Sequence, residues 1–123
     1  MPLSGAGDAV EKRMAKNDTQ LLPGTLFLLI LKSLGRGPLH GYAIAKRIKN
    51  ASDNGLAIED GSLYPALNRL LVKGWVQAEW GTSENNRRAR FYQLTPEGRK
   101  QLHAEAREFE KLVKSIQLVM RTV

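Results

Sequence analysis

The chain has 123 residues, 42% hydrophobic and 25% charged, which suits one soluble domain able to bury a core without staples. It has no cysteine, which excludes disulfides and thiolate metal sites. Its most apolar run, "LFLLILKSLG", is too short for a membrane span and carries Lys32. The formal net charge of +7 is unevenly placed: residues 1–31 balance, residues 32–100 hold a surplus of +6 and residues 101–123 one of +1. A polyanionic partner would therefore meet the middle of the chain. The opening "MPLSGAGDAV" lacks the basic start and apolar centre of a secretory signal, and a cytoplasmic protein is expected.

In chain order, residues 1–20 read as a flexible segment that forms at most a short helix over 9–18. After Pro23 and Gly24, "TLFLLILKSL" predicts a buried helix that stops at "GRGP". "HGYAIAKRIKNAS" predicts a second, with Gly41, Ile44, Ala45 and Ile48 on one face, Lys46, Arg47 and Lys49 on another, and a turn at "SDNG". "LAI", residues 56–58, is long enough for a short strand.

"DGSLYPALNRLLVKGW", residues 60–75, predicts a third helix over 60–73, with Leu63, Leu67, Leu70 and Leu71 turned inward and Gly74 at its C-terminal cap. Pro65 is tolerated only near a helix start, so Asp60 or Ser62 is the expected N-cap. Ser62, Tyr64, Pro65, Asn68 and Arg69 are left near the opposite surface, a mixture suited to reading bases and holding phosphates, although Tyr64 could instead pack on Trp75.

"VQAEW" and "RFYQL" alternate as half-buried strands do, Val76, Ala78 and Trp80 falling on one face of the first and Tyr92 and Leu94 on one face of the second. Between them "GTSENNRRA" holds Asn85 and Asn86, which tolerate left-handed turn conformations, and a basic tip is predicted with Arg87, Arg88 and Arg90. Thr95 can then cap a last helix, with Pro96 in its first position and Glu97 in its first turn. Along that helix Leu102, Ala106, Phe109, Val113, Ile116 and Met120 recur at alternating spacings of four and three, a seam that fits a partner chain.

Helix, helix, short strand, helix and basic hairpin make a mainly α fold with a small β wing. The organisation expected is a winged helix-turn-helix over residues 21–95, followed by a C-terminal dimerisation helix over 96–123. In that geometry the third helix enters the major groove and the hairpin reaches adjacent DNA.

The segments "GTLFLLILKSL", "GPLHGYAIAKRI", "EDGSLYPALNRLLVKGWV" and "RRARFYQLTPEGRKQL", spanning roughly residues 21–103, resemble in order and spacing the PadR family of bacterial transcriptional regulators. "GSLYPALNRL" is the most specific of them. The resemblance implies a winged-helix homodimer that represses by covering a two-fold operator. It also implies that Ser62, Tyr64, Asn68 and Arg69 belong to the recognition helix and that His40 and Tyr42 are phosphate-side contacts, as a helix N-terminus permits. The single C-terminal helix is similar to the shorter branch of the family, where it exchanges with the partner and packs on the partner's N-terminal helix. A small-molecule effector of unknown identity is a further partner the family implies. Some drug-responsive relatives carry a tryptophan on the C-terminal helix, whereas this chain has Trp75 and Trp80 at the wing and only Phe109 as an aromatic on that helix, so an aromatic drug slot is not expected.

An enzyme is not expected, nor a metal or cofactor. "GRGPLHG" lies between two helical patterns and lacks both the dinucleotide fingerprint and the phosphate-loop lysine, and His40 and His103 stand far apart without clustered carboxylates. The rival is a winged helix that binds protein or RNA, which salt dependence and sequence preference distinguish.

Overall fold

The apolar run after Leu22 forms α1 (Pro23–Ser33), whose Ile30 and Leu31 are fully buried. The computed structural model describes residue 21 and residues 23–123; the flexible or helical segment expected over 1–20 lies outside them. A turn over 34–37 replaces the helix where "GRGP" removes its propensity, and Arg47 steadies it by donating to the Ser33 carbonyl at 3.1 Å. A two-residue strand, β1 (Leu39–His40), leads directly into α2 (Gly41–Ala51). Ile44 and Ile48 of α2 face the core, while Lys46, Arg47 and Lys49 are exposed. The turn after it places Asp53 and Asn54 in the left-handed region, which short polar side chains tolerate.

The third helix, α3 (Asp60–Lys73), buries Leu63, Ala66, Leu67 and Leu70. It ends as expected, with Gly74 at φ 78° and its N–H and that of Trp75 returning to the carbonyls of Leu71 and Leu70 at 3.0 and 3.1 Å. Its start differs from the expectation. The N-cap is Glu59, which makes no side-chain cap bond, so neither Asp60 nor Ser62 fills that position and Pro65 lies inside the helix. The ring is tolerated because the carbonyl it deprives belongs to Gly61, on an exposed first turn with room around its Cα.

The hairpin is β2 (Val76–Thr82) against β3 (Arg88–Leu94), and β1 pairs with the other edge of β3, giving an antiparallel sheet of order β1-β3-β2. The third strand therefore comes from Leu39–His40 rather than from residues 56–58, which form none. The apolar character of 56–58 serves packing instead: Ile58 is buried, Leu56 is half-buried, and the Leu56 N–H bonds the Ser52 hydroxyl at 2.9 Å. Longer strands also shorten the tip to residues 83–87, so that Arg88 and Arg90 stand on the ladder and only Arg87 on the turn, where Asn86 takes φ 58°.

Thr95 caps the last helix, α4 (Pro96–Thr122), accepting from the Gly98 N–H at 3.0 Å and donating to the Gly74 carbonyl at 2.7 Å. Gly98 is buried because the first turn of α4 lies directly on the Trp75 backbone, where a side chain would have no space. Helices α1–α3, the inward sheet face and the start of α4 thus enclose one core, in a winged-helix arrangement that, among the described residues, has four helices and a three-stranded sheet. No helix among the described residues is long and apolar enough to cross a membrane.

Candidate nucleic-acid interface

Strand register decides what the wing presents. Val76, Ala78, Trp80 and Thr82 share a face with their partners Leu94, Tyr92, Arg90 and Arg88. Near the helices this face is core: Val76 is 2% and Tyr92 4% exposed. Further out none of the described helices covers it, and Trp80, expected on the buried face of its strand, is 60% exposed. The same face that begins as core therefore ends as one wall of an open groove of about 900 Å³.

The other walls are the N-terminal ends of α2 and α3. His40, Tyr42 and Lys46 come from the first, Tyr64 from the second, and Arg87, Arg88 and Arg90 from the wing, with Glu84 as the one acidic lining residue among those described. His40 is the N-cap of α2: its Nδ1 accepts from the Ala43 N–H at 3.3 Å, and its ring meets the edge of Phe91 at 5.4 Å and stacks with Tyr42 at 6.4 Å. Tyr42 is 68% exposed beside it, at a helix end whose free N–H groups favour an anion.

Tyr64 does not pack on Trp75. Its ring lies over Gly41, so closely that a Cβ at Gly41 would stand 2.6 Å from the hydroxyl, which locks the start of α2 to α3. Partial burial there, with the Asp60 carboxylate and Tyr92 nearby, pushes the Tyr64 hydroxyl above the ordinary value of 10.0.

The remaining residues expected on α3 sit on its solvent surface and do not line the groove. Asn68 and Arg69 are exposed, Ser62 is half-buried, and the side chains of Asn68 and Arg69 make no hydrogen bond or ion pair with the described residues. At about 100° per residue, Tyr64 and Asn68 fall on one edge of the exposed face, while Ser62 and Arg69 fall on the other, about 100° or more away. Between these edges lie exposed Pro65 and Val72, the latter 89% exposed.

Sequence reasoning missed Lys46, Trp80 and Val72 as parts of this surface. Lys46 was legible as part of the basic face of α2. Trp80 was hidden by its place in an apolar alternation, and Val72 by its neighbours in the leucine run.

Among the described residues the sole ion pair joins Lys111 and Glu108 on α4, so the groove arginines have no carboxylate partner. Two lie on aromatic rings instead: the Arg88 guanidinium is 4.6 Å from the Trp80 ring centre and that of Arg90 is 5.8 Å from Tyr92. No group of three or more His, Asp or Glu among the described residues is placed to hold a metal ion.

Along α4, Leu102 is 6% exposed within the domain's own core, and Ala106 is half-buried. Phe109, Ile116 and Met120 are 43%, 51% and 75% exposed, as are Leu112 and Val119 at 57% each. Of the seam read from the sequence, Leu102 and in part Ala106 are thus taken up within the domain, whereas Phe109, half-buried Val113, Ile116 and Met120 belong to an exposed apolar face of α4.

Comparison with known proteins agrees with this architecture. The model of the PadR-like family of transcriptional regulators matches residues 30–104. An uncharacterised 37.1 kDa protein of transposon Tn4556 from Streptomyces fradiae is 40% identical over 99 residues, covering 80% of this chain and 25% of that one. The chain thus spans about a quarter of that relative's length. A transcriptional regulator from Clostridium thermocellum has a similar structure (TM-score 0.69, 33% identity, covering 76% of this chain and 88% of that one). So does a PadR family transcriptional regulator from Eggerthella lenta (TM-score 0.67, 28% identity, covering 96% and 93%). With the match running from the core of α1 through the wing and into α4, the chain belongs to the PadR-like family of transcriptional regulators.

Proposed function

We propose that the chain binds double-stranded DNA sequence-specifically as a cytoplasmic homodimeric repressor, with α3 in the major groove and the 81–90 wing on adjacent DNA. The observation that carries this reading is the groove itself. Arg87, Arg88, Arg90 and Lys46 line it against Glu84 alone, beside a helix whose exposed face bears Asn68 and Arg69. Unpaired guanidinium groups so placed release counterions on meeting phosphate, while an amide and a guanidinium on the helix suit bidentate contacts to base edges. Exposed Pro65 and Val72 between them suit a thymine methyl.

The dimer arm is α4. Past Ala106 it runs a further 16 residues to Thr122, about 24 Å at 1.5 Å per residue. Phe109, Leu112, Val113, Ile116, Val119 and Met120 cover about 120° of its circumference, wider than a two-stranded seam. Such a stripe suits enclosure by more than one helix, as exchange onto a partner's arm and N-terminal helix would supply. Two-fold symmetry then sets two α3 helices on half-sites about one DNA turn apart, and the bound dimer blocks the promoter.

Release by a small-molecule effector is part of the proposal. A second groove of about 950 Å³ joins α1, α2 and α4, with Leu29, Ile48, Leu56 and Leu102 among its walls, so a ligand wedged there would shift the arm against the reading head.

The test is selection of bound sequences from random duplex DNA, followed by affinity measurement of the winners across a salt series. Enrichment of a two-fold site, with a log-log salt slope near −7 for about eight phosphate contacts, is expected. Binding without enrichment would reduce the protein to a general DNA binder. Absence of binding would favour a protein partner.

A further inference from the structure

Trp80 is a large apolar side chain that the core does not use. Val76, Ala78, Tyr92 and Leu94 close the inward sheet face, and Trp80 stands beyond them, 60% exposed, in the wall of the basic groove. Its cross-strand partner is Arg90, and Arg88 is the diagonal neighbour on the same face, near enough for its guanidinium to rest 4.6 Å from the indole centre. Two of the three groove arginines, Arg88 and Arg90, thus have aromatic rings beneath them where a carboxylate would ordinarily be found, and Glu84, in the same groove, pairs with none of the three.

The difference matters chemically. A carboxylate occupies the N–H edge of a guanidinium and cancels its charge, whereas a ring takes only its face. The five N–H donors radiate in the guanidinium plane, so an arginine lying on an indole keeps its charge and its donor fork for another acceptor. The long side chain also loses rotamer freedom before it binds rather than on binding.

We infer that Trp80 is a positioning residue: it braces Arg88 over the groove so that the guanidinium is presented, ordered and unneutralised, to a phosphate of bound DNA. The inference rests on the DNA-binding reading above.

The experiment is a double-mutant cycle on the full chain, using a random-sequence 30-base-pair duplex over a range of salt concentrations. Trp80→Leu should weaken binding about twofold to tenfold, the cost of ordering one rotamer-rich side chain on binding rather than before it, and leave the salt slope in place because Arg88 still reaches its phosphate. Arg88→Ala should weaken binding and reduce the slope by about one contact. In the Arg88→Ala background, Trp80→Leu should have no further effect, a non-additivity that general damage to the wing would not produce. Trp80→Phe, which keeps a ring, should recover most of the loss.

Equal losses from Trp80→Leu with and without Arg88 would overturn the brace, as would no loss from Trp80→Leu in the chain that keeps Arg88. If Arg88→Ala itself leaves affinity and slope unchanged, the wing assignment fails and the brace with it. If the unmodified chain binds no duplex, the DNA-binding reading is what has failed, and the inference falls with it.

Discussion

Gly98→Ala sets two physical arguments against each other. Gly98 sits in the first turn of α4 with no positive φ, so helix propensity alone predicts that alanine stabilises the chain by about 1 kcal/mol. The tertiary structure predicts the reverse. An added Cβ would overlap the Trp75 carbonyl oxygen and stand 2.8 Å from its carbon and 3.1 Å from its Cα, all backbone that no rotamer change can move.

Relief requires α4 to back away from the turn after α3, at the cost of the Thr95 N–H bond to the Trp75 carbonyl (3.1 Å) and of the Thr95 hydroxyl bond to the Gly74 carbonyl (2.7 Å). Overpacking costs about 1–3 kcal/mol, and two such hydrogen bonds add about 0.5–1.5 kcal/mol each. After the propensity gain, the net loss is about 3 kcal/mol. Urea unfolding followed by circular dichroism, at fixed protein concentration because a dimer's stability depends on it, should show a midpoint lower by about 1 M or more. Gly61→Ala is the matched control: that glycine lies in an exposed first turn with nothing near a Cβ, and alanine there should stabilise by about 0.5–1 kcal/mol. A Gly98→Ala chain as stable as the parent would refute the claimed contact between α4 and Trp75.

Three other outcomes are expected. Asn68→Ala or Arg69→Ala should narrow the preference for a selected operator over random DNA by about 1–3 kcal/mol, measured by competition binding; unchanged selectivity would move base reading off this face of α3. Phe109→Asp places a charge in the apolar stripe of α4 and should give monomers by analytical ultracentrifugation, whereas a surviving dimer would locate the interface elsewhere. In an absorbance titration Tyr64 should ionise later than a free phenol, and Tyr64→Phe should remove that step. Because the fold favours the neutral Tyr64 hydroxyl, the stability this confers is complete below pH 10 and is lost as pH rises through the raised value.

Much of this architecture is local and was legible as such. Gly74 ends α3 because only a residue at ease in the left-handed region makes that turn cheaply, and Thr95-Pro96 starts α4 because an oxygen acceptor and a fixed φ suit a helix start. The leucine spacing of 63–71 and the alternation through 76–80 and 90–94 likewise follow from side-chain periodicity, which neighbours in sequence already express.

What the sequence could not express is what lies across a gap in the chain. Leu39 and His40 are a strand only because Tyr92 and Phe91 lie beside them, and Leu56–Ile58, equally apolar, form none because they fill the core. Pro65 was placed at a helix start by a rule that assumes a carbonyl needing its bond, whereas the carbonyl of Gly61 lies on an exposed turn. Trp80 continues a buried alternation yet is exposed because none of the described helices extends over the end of the wing, and Tyr64 found Gly41 rather than Trp75. By itself the sequence determined the helices of the core, the hairpin, the caps at Gly74 and Thr95 and the basic middle of the chain, since these depend on bonds and periods within a few residues. Tertiary structure alone decided which arginines share a groove, what holds them there and why Gly98 must lack a side chain, because each depends on approaches between segments that the chain brings together only by folding.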